Sequence, residues 1–166
     1  MECCFIGHRK VKDREKVCAT VTEIVRDMIV NRGVTVFLFG SKSEFNDLCH
    51  EVVTSFMKDC PLIERVVYTC KSESFVLESE REKLQALKNL ISNDKSELLA
   101  FEKEREYQGK FVAGKASYIE RNQAMIDDSD YCVFCYDECS CLKNSGTKRA
   151  YEYAVRKKKV IFNVLS

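Results

Sequence analysis

No charge of one sign dominates this 166-residue chain: 27 Lys and Arg stand against 26 Asp and Glu, a formal net charge of +1. A protein that tracks a phosphate backbone needs a net basic face, so nucleic acid is set aside as a partner. The chain lacks any uncharged apolar run of roughly 18 residues, the length that would suggest a membrane span. Its start, MECCFIGHRK, has no signal-peptide pattern. No membrane partner is expected, and the expected location is cytoplasmic. Internal repeats and low-complexity tracts are absent. So are G-x-G-x-x-G and G-x-x-x-x-G-K-[ST], which removes the dinucleotide fingerprint and the P-loop as routes to phosphate.

Cysteine is not scarce, with ten in the chain. Cys3, Cys4, Cys18, Cys49, Cys60, Cys70 and Cys132 fall in or beside predicted strands and helices, where a free thiol behaves as a small buried hydrophobe. Without an export signal they are expected to be reduced. Cys132-x-x-Cys135 has zinc-ligand spacing, and Cys139 and Cys141 follow closely. Yet YCVFCY reads as a strand, on which residues three apart point to opposite faces. No metal site is expected there.

Apolar spacing predicts the elements. CCFI at 3–6 reads as a strand, and Val17, Val21, Ile24, Val25, Met28 and Ile29 mark a helix over 12–31. Val34 to Phe39 is a continuous strand and 43–58 a helix, ended by Pro61. A strand at 66–70 precedes a Glu- and Lys-rich segment at 73–110, expected to be a helical insertion. Helices over 117–127 and 146–158 alternate with strands at 131–136 and 160–164. This order predicts one α/β domain over 1–166: a Rossmann-like parallel sheet flanked by helices, with a charged helical insertion.

In such a sheet, ligands bind outside the carboxyl ends of the strands. Those ends are followed by Gly7-His8-Arg9, by Gly40-Ser41-Lys42-Ser43-Glu44, and by Ser145-Gly146-Thr147 at a helix start. The helix carrying Glu120, Arg121 and Asn122 opens shortly before the fourth predicted strand. Helix N-termini favour anions, glycine lets the backbone approach closely, and hydroxyls add donors. Arg9, Lys42 and Arg121 offer charge-assisted bonds. The competing roles are plain: Ser43 and Ser145 as N-caps, the glycines as turns, Glu44 and Glu120 as first-turn carboxylates. His8 reads as a ligand contact, a base or a loop anchor, and His50 as structural. Tyr136 either caps the core or stacks on a base, and Lys157-Lys158-Lys159 is a solvated helix end.

GHRK, FLFGSKSEFNDLCHEVV, YIERNQAMIDDSDYCVFCY and SGTKRAYEYAVRKKKVI together resemble the SLOG superfamily, most of all its small YpsA-like bacterial branch. That superfamily includes the Lonely Guy phosphoribohydrolases and the DNA-processing protein DprA. The resemblance implies a nucleotide-binding Rossmann-like domain and spans all but 73–110. Arg121 matches the arginine of an Arg-Lys pair, with Asn122 in place of the lysine. Gly146 and Thr147 match the GT of PGGxGTxxE, whereas Ser145 departs from its glycine run and the proline is missing. The position of the catalytic glutamate holds Ala150. Glu152 lies roughly 200° further round the helix and cannot replace it.

The expected function is binding of a nucleotide or ADP-ribose-like ligand, as sensor or sequesterer in nucleotide signalling. No cofactor is expected, and the expected assembly is a homo-oligomer. One alternative is a phosphoribohydrolase or N-glycosidase using Arg121 with Glu44 or Glu120. Another is a regulatory protein-interaction module working through 73–110, with a vestigial pocket.

Overall fold

A computed structural model describes residues 1–40, 43–69, 110–111, 118–138 and 145–166. Ser41, Lys42 and nearly all of the 73–110 segment lie outside the described residues, as do Cys70, Cys139 and Cys141. The strands are β1 (Glu2–Gly7), β2 (Val36–Phe39), β3 (Glu64–Thr69), β4 (Lys110–Phe111), β5 (Tyr131–Cys135) and β6 (Val160–Asn163). The described helices are α1 (Arg14–Val30), α2 (Glu44–Phe56), α3 (Tyr118–Asp127) and α4 (Gly146–Arg156).

The strands form one sheet in the order β4-β3-β2-β1-β5-β6, with every pairing parallel. The α/β Rossmann-like build expected from the element order is therefore present. Two boundaries differ. β3 begins at the charged Glu64, because pairing with Val36 recruits residues that carry no apolar signal. Lys110, expected at the end of a helical segment, pairs with Tyr68 in a two-residue strand.

Period-two alternation sends the strand side chains to two separate cores. Cys3, Phe5, Phe37, Phe39, Val133 and Cys135 pack under α1 and α2, where Val17, Val21, Val25 and Met28 form the inner stripe of α1. Cys4, Ile6, Leu38, Tyr68, Cys132 and Phe134 pack on the other face, under Met125 and Ile126 of α3 and Ala150 and Ala154 of α4. Cys132 and Cys135 accordingly lie on opposite faces of the sheet. The Phe5 ring stacks with two rings of the neighbouring β2, 6.0 Å from Phe37 and 5.2 Å from Phe39 between ring centres.

The helix ends are held by their own side chains. Asp13, Ser43 and Ser145 accept from the third backbone N–H of α1, α2 and α4, at 3.4, 3.4 and 3.1 Å. At the far end of α1, Asp27 accepts from Asn31 at 2.7 Å and from Arg32 at 2.6 Å. Arg32 in turn faces the rings of Tyr131 and Phe162 at 5.4 and 5.0 Å. None of the described helices is long and apolar enough to cross a membrane.

From β1 the chain moves outward in one direction to β2, β3 and β4, then returns to place β5 on the other side of β1. Between β1 and β5 the connections diverge to opposite faces. This is the switch point of the sheet, where the carboxyl ends leave a crevice.

Candidate ligand site at the carboxyl edge

Parallel strands bring Gly7, Gly40 and Tyr136 to one edge, with the first turns of α1, α2 and α4 following them. The lip formed by the segment after β1 is tied to α2. Ser43 Oγ donates to the His8 carbonyl at 3.0 Å, and the Glu44 N–H donates to the Arg9 carbonyl at 3.0 Å. The Val11 N–H donates to Glu44 Oε2 at 2.9 Å. Ser43 and Glu44 thus anchor a loop as well as opening a helix. Nearby, Asn46 Oδ1 accepts the Gly40 N–H at 2.9 Å, closing the end of β2.

The second group gathers around Arg121, which is only 6% exposed. Its guanidinium lies so close to Gly40 that a methyl group there would come within 2.8 Å of its terminal nitrogen and 3.0 Å of its central carbon. Asn122 Oδ1 accepts from the same guanidinium at 3.0 Å. The Arg121 carbon sits 5.1 Å from the Tyr118 ring centre, and the Arg9 carbon 5.8 Å from it. Two cations from elements far apart in sequence therefore share one aromatic ring at the sheet edge. Glu120 is half-buried in the same turn.

At the start of α4, Ser145 serves as N-cap and Thr147 is buried. Among the described residues, none comes within 4 Å of a methyl group built on Gly146. Ala150 points into the core with 3% exposure. Glu152 instead faces Lys148 at 4.0 Å on the outside.

His8 ties the loop after β1 to the end of β5. Its Nε2 accepts the Asp137 N–H at 3.4 Å, and its ring centre lies 6.4 Å from that of Tyr136. Burial lowers its proton affinity below that of an ordinary histidine; Lys12 acts in the same direction and Asp137 opposes. Tyr136 stacks on Tyr151 at 4.8 Å. Asn163 holds it from behind, donating to its carbonyl at 2.8 Å and accepting its N–H at 3.1 Å.

The geometry thus joins Gly7, His8, Arg9, Ser43 and Glu44 in one lip, and Gly40, Arg121 and Asn122 in another. Ser145, Gly146 and Thr147 follow β5 on the same edge. Sequence reasoning passed over Asn46, Tyr118 as a ring for two cations, Asp137 and Asn163. Apart from the short reach of Asn46 to Gly40, their contacts join distant elements, which neither the place of Asp137 beside Tyr136 nor that of Tyr118 near Arg121 announces.

His50 lies away from this edge, its ring 5.1 Å from Phe39. Burial, assisted by Arg65, depresses it to about 4 from an ordinary value of 6.5. Between those values the unfolded chain binds a proton that the folded chain refuses. The stability contribution is therefore complete above pH 6.5 and is lost as the pH falls through about 4. Denaturant midpoints measured across this range are expected to fall with pH, and His50→Gln should flatten part of that slope. An unchanged slope in the variant would assign it elsewhere.

No protein-family model matches this chain, and no curated protein proved significantly similar to it.

Proposed function

We propose that the carboxyl edge of this sheet binds a phosphorylated, nucleotide-derived ligand of the ADP-ribose kind, and that the protein acts as its sensor or sequesterer. The observation that carries the reading is the position of Arg121: a buried guanidinium between Gly40 and Tyr118, at the edge where such sheets take their ligands. Its planar fork suits a phosphate better than a lysine's point charge. Arg9 supplies a second, exposed cation beside the same ring. The start of α4 offers backbone donors and the positive end of its dipole. The resemblance to the SLOG superfamily agrees with this chemistry.

Binding is favoured over turnover by Ala150. Cleaving an N-glycosidic bond calls for a carboxylate near the developing cation. The position that resembles the family's acid holds instead a methyl group packed in the core.

Calorimetric titration with ADP-ribose, NAD and AMP tests the reading, with chromatography afterwards to establish whether the ligand is intact. Saturable binding with intact ligand is expected. Arg121→Ala should weaken it at least tenfold, the equivalent of one lost charge-assisted bond of about 1.5–3 kcal/mol, while the variant stays folded by circular dichroism. Wild-type affinity in that variant would remove Arg121 from the site.

A further inference from the structure

We infer that His8 couples ligand binding at the β1–β5 crevice to the uptake of one proton, exchanging a neutral acceptor that ties the loop after β1 to the end of β5 for a charged donor to the bound anion. The inference rests on the binding reading above and adds to it a regulation by pH.

The imidazole is held in place from several sides. It follows Gly7, whose pairing with Cys135 brings the end of β1 beside that of β5. The His8 carbonyl accepts from Ser43 Oγ at 3.0 Å. From that fixed stem the ring reaches across the crevice to the Asp137 N–H. To accept that bond Nε2 must carry a lone pair, so the ring is neutral and its proton sits on Nδ1.

The charged and titratable groups around it come from each packed element. Lys12 on the same loop disfavours the imidazolium, and the Asp137 carboxylate favours it. The Tyr136 phenol lies alongside. Glu44 of α2 is engaged with the Val11 N–H. Burial outweighs the Asp137 attraction, so in the free protein His8 holds a proton less readily than an ordinary histidine.

A phosphate oxygen entering the crevice reverses that balance, since an opposite charge a few ångströms away favours the charged ring. One proton passes from solvent to Nε2. The bond to Asp137 breaks, and at 3.4 Å it is a long one. Nε2–H then donates to the phosphate oxygen, and the released Asp137 N–H donates to it too, so no backbone donor is stranded. Affinity accordingly rises as the pH falls between the proton affinities of the bound and free states, by up to about tenfold per pH unit.

ADP-ribose and NAD are suitable probes, because their disubstituted phosphates do not titrate in the histidine range, whereas the monoester of AMP does. Titration calorimetry in two buffers of different ionisation enthalpy is expected to show net proton uptake near neutral pH. Affinity should weaken from about pH 6 to about pH 8. His8→Gln, which keeps an acceptor, should bind without proton uptake and with a flat pH profile. Imidazole resonances provide a second readout, and with two histidines in the chain that variant also makes the assignment. In the free protein His8 should titrate below an ordinary histidine and move up when ADP-ribose is added. Binding without proton exchange, or a free His8 that titrates at or above the ordinary value, would overturn the coupling and leave the binding reading standing. Failure of ADP-ribose, NAD and AMP alike would overturn that reading, and the coupling with it.

Discussion

Gly7→Ala is expected to destabilise the fold more than the same change at Gly40 or Gly146. A β-carbon built at Gly7 would lie 2.4 and 2.6 Å from two atoms of the Phe45 ring and 2.9 Å from the Cys135 β-carbon. Neither neighbour has room to retreat: Phe45 is fully buried on α2, and Cys135 is fixed by its pairing with Gly7 itself. Relief therefore requires α2 to lift from the sheet or β1 and β5 to separate. Overpacking of a rigid core costs about 1–3 kcal/mol, occasionally more, and this contact belongs at the upper end. For a chain of this size about 3 kcal/mol lowers the melting temperature by roughly 6–12 °C. Thermal unfolding followed by circular dichroism would show it. A shift of less than about 2 °C would mean that α2 is loosely docked, and the lip built on Ser43 and Glu44 would then be less firmly placed than the hydrogen bonds indicate.

The same close approach explains why parts of the architecture were legible in sequence and others were not. Continuous apolar runs such as VFLF and YCVFC announce strands covered on both faces, because burial on two sides leaves no polar alternation. The stripe of Val17, Val21, Val25 and Met28 announces α1 in the same local way. Strand order has no such local sign. It depends on Gly7 meeting Cys135, a contact between residues remote in the chain whose only trace is a glycine and a small thiol. Glu64 and Arg65 were missed as strand residues because backbone pairing draws them into the sheet without any apolar signal. The site divides along the same line. Gly7, Gly40, Arg9 and Arg121 stood out as small or cationic residues near strand ends and helix starts. That Arg9 and Arg121 face one ring, and that His8 reaches Asp137, follows only from tertiary placement. Ser43 and Glu44 drew attention as ligand candidates, and the fold uses both to fasten a loop.

Gly40→Ala should weaken binding without removing the Arg121 guanidinium, which truncating Arg121 cannot do. Here the added β-carbon would meet the guanidinium of Arg121, at 2.8, 3.0 and 3.3 Å from three of its atoms. Unlike the Phe45 ring, this obstacle is the far end of a long side chain, so it yields by turning about its own torsions. The backbone at the end of β2 and the bond that the Gly40 N–H donates to Asn46 need not move. The cost to stability is accordingly small, about 1 kcal/mol for a modest rotamer strain. The cost to ligand is large, because a fork displaced by a few tenths of an ångström no longer presents two parallel donors to one phosphate. ADP-ribose affinity is expected to fall between tenfold and a hundredfold, with the melting temperature within a few degrees of wild type. A double-mutant cycle completes the assignment. If Gly40 matters only as the space in which Arg121 lies, Gly40→Ala adds nothing once Arg121→Ala is in place. Additive losses would mean that ligand approaches the Gly40 backbone directly, and the phosphate would then sit against β2 rather than on the guanidinium.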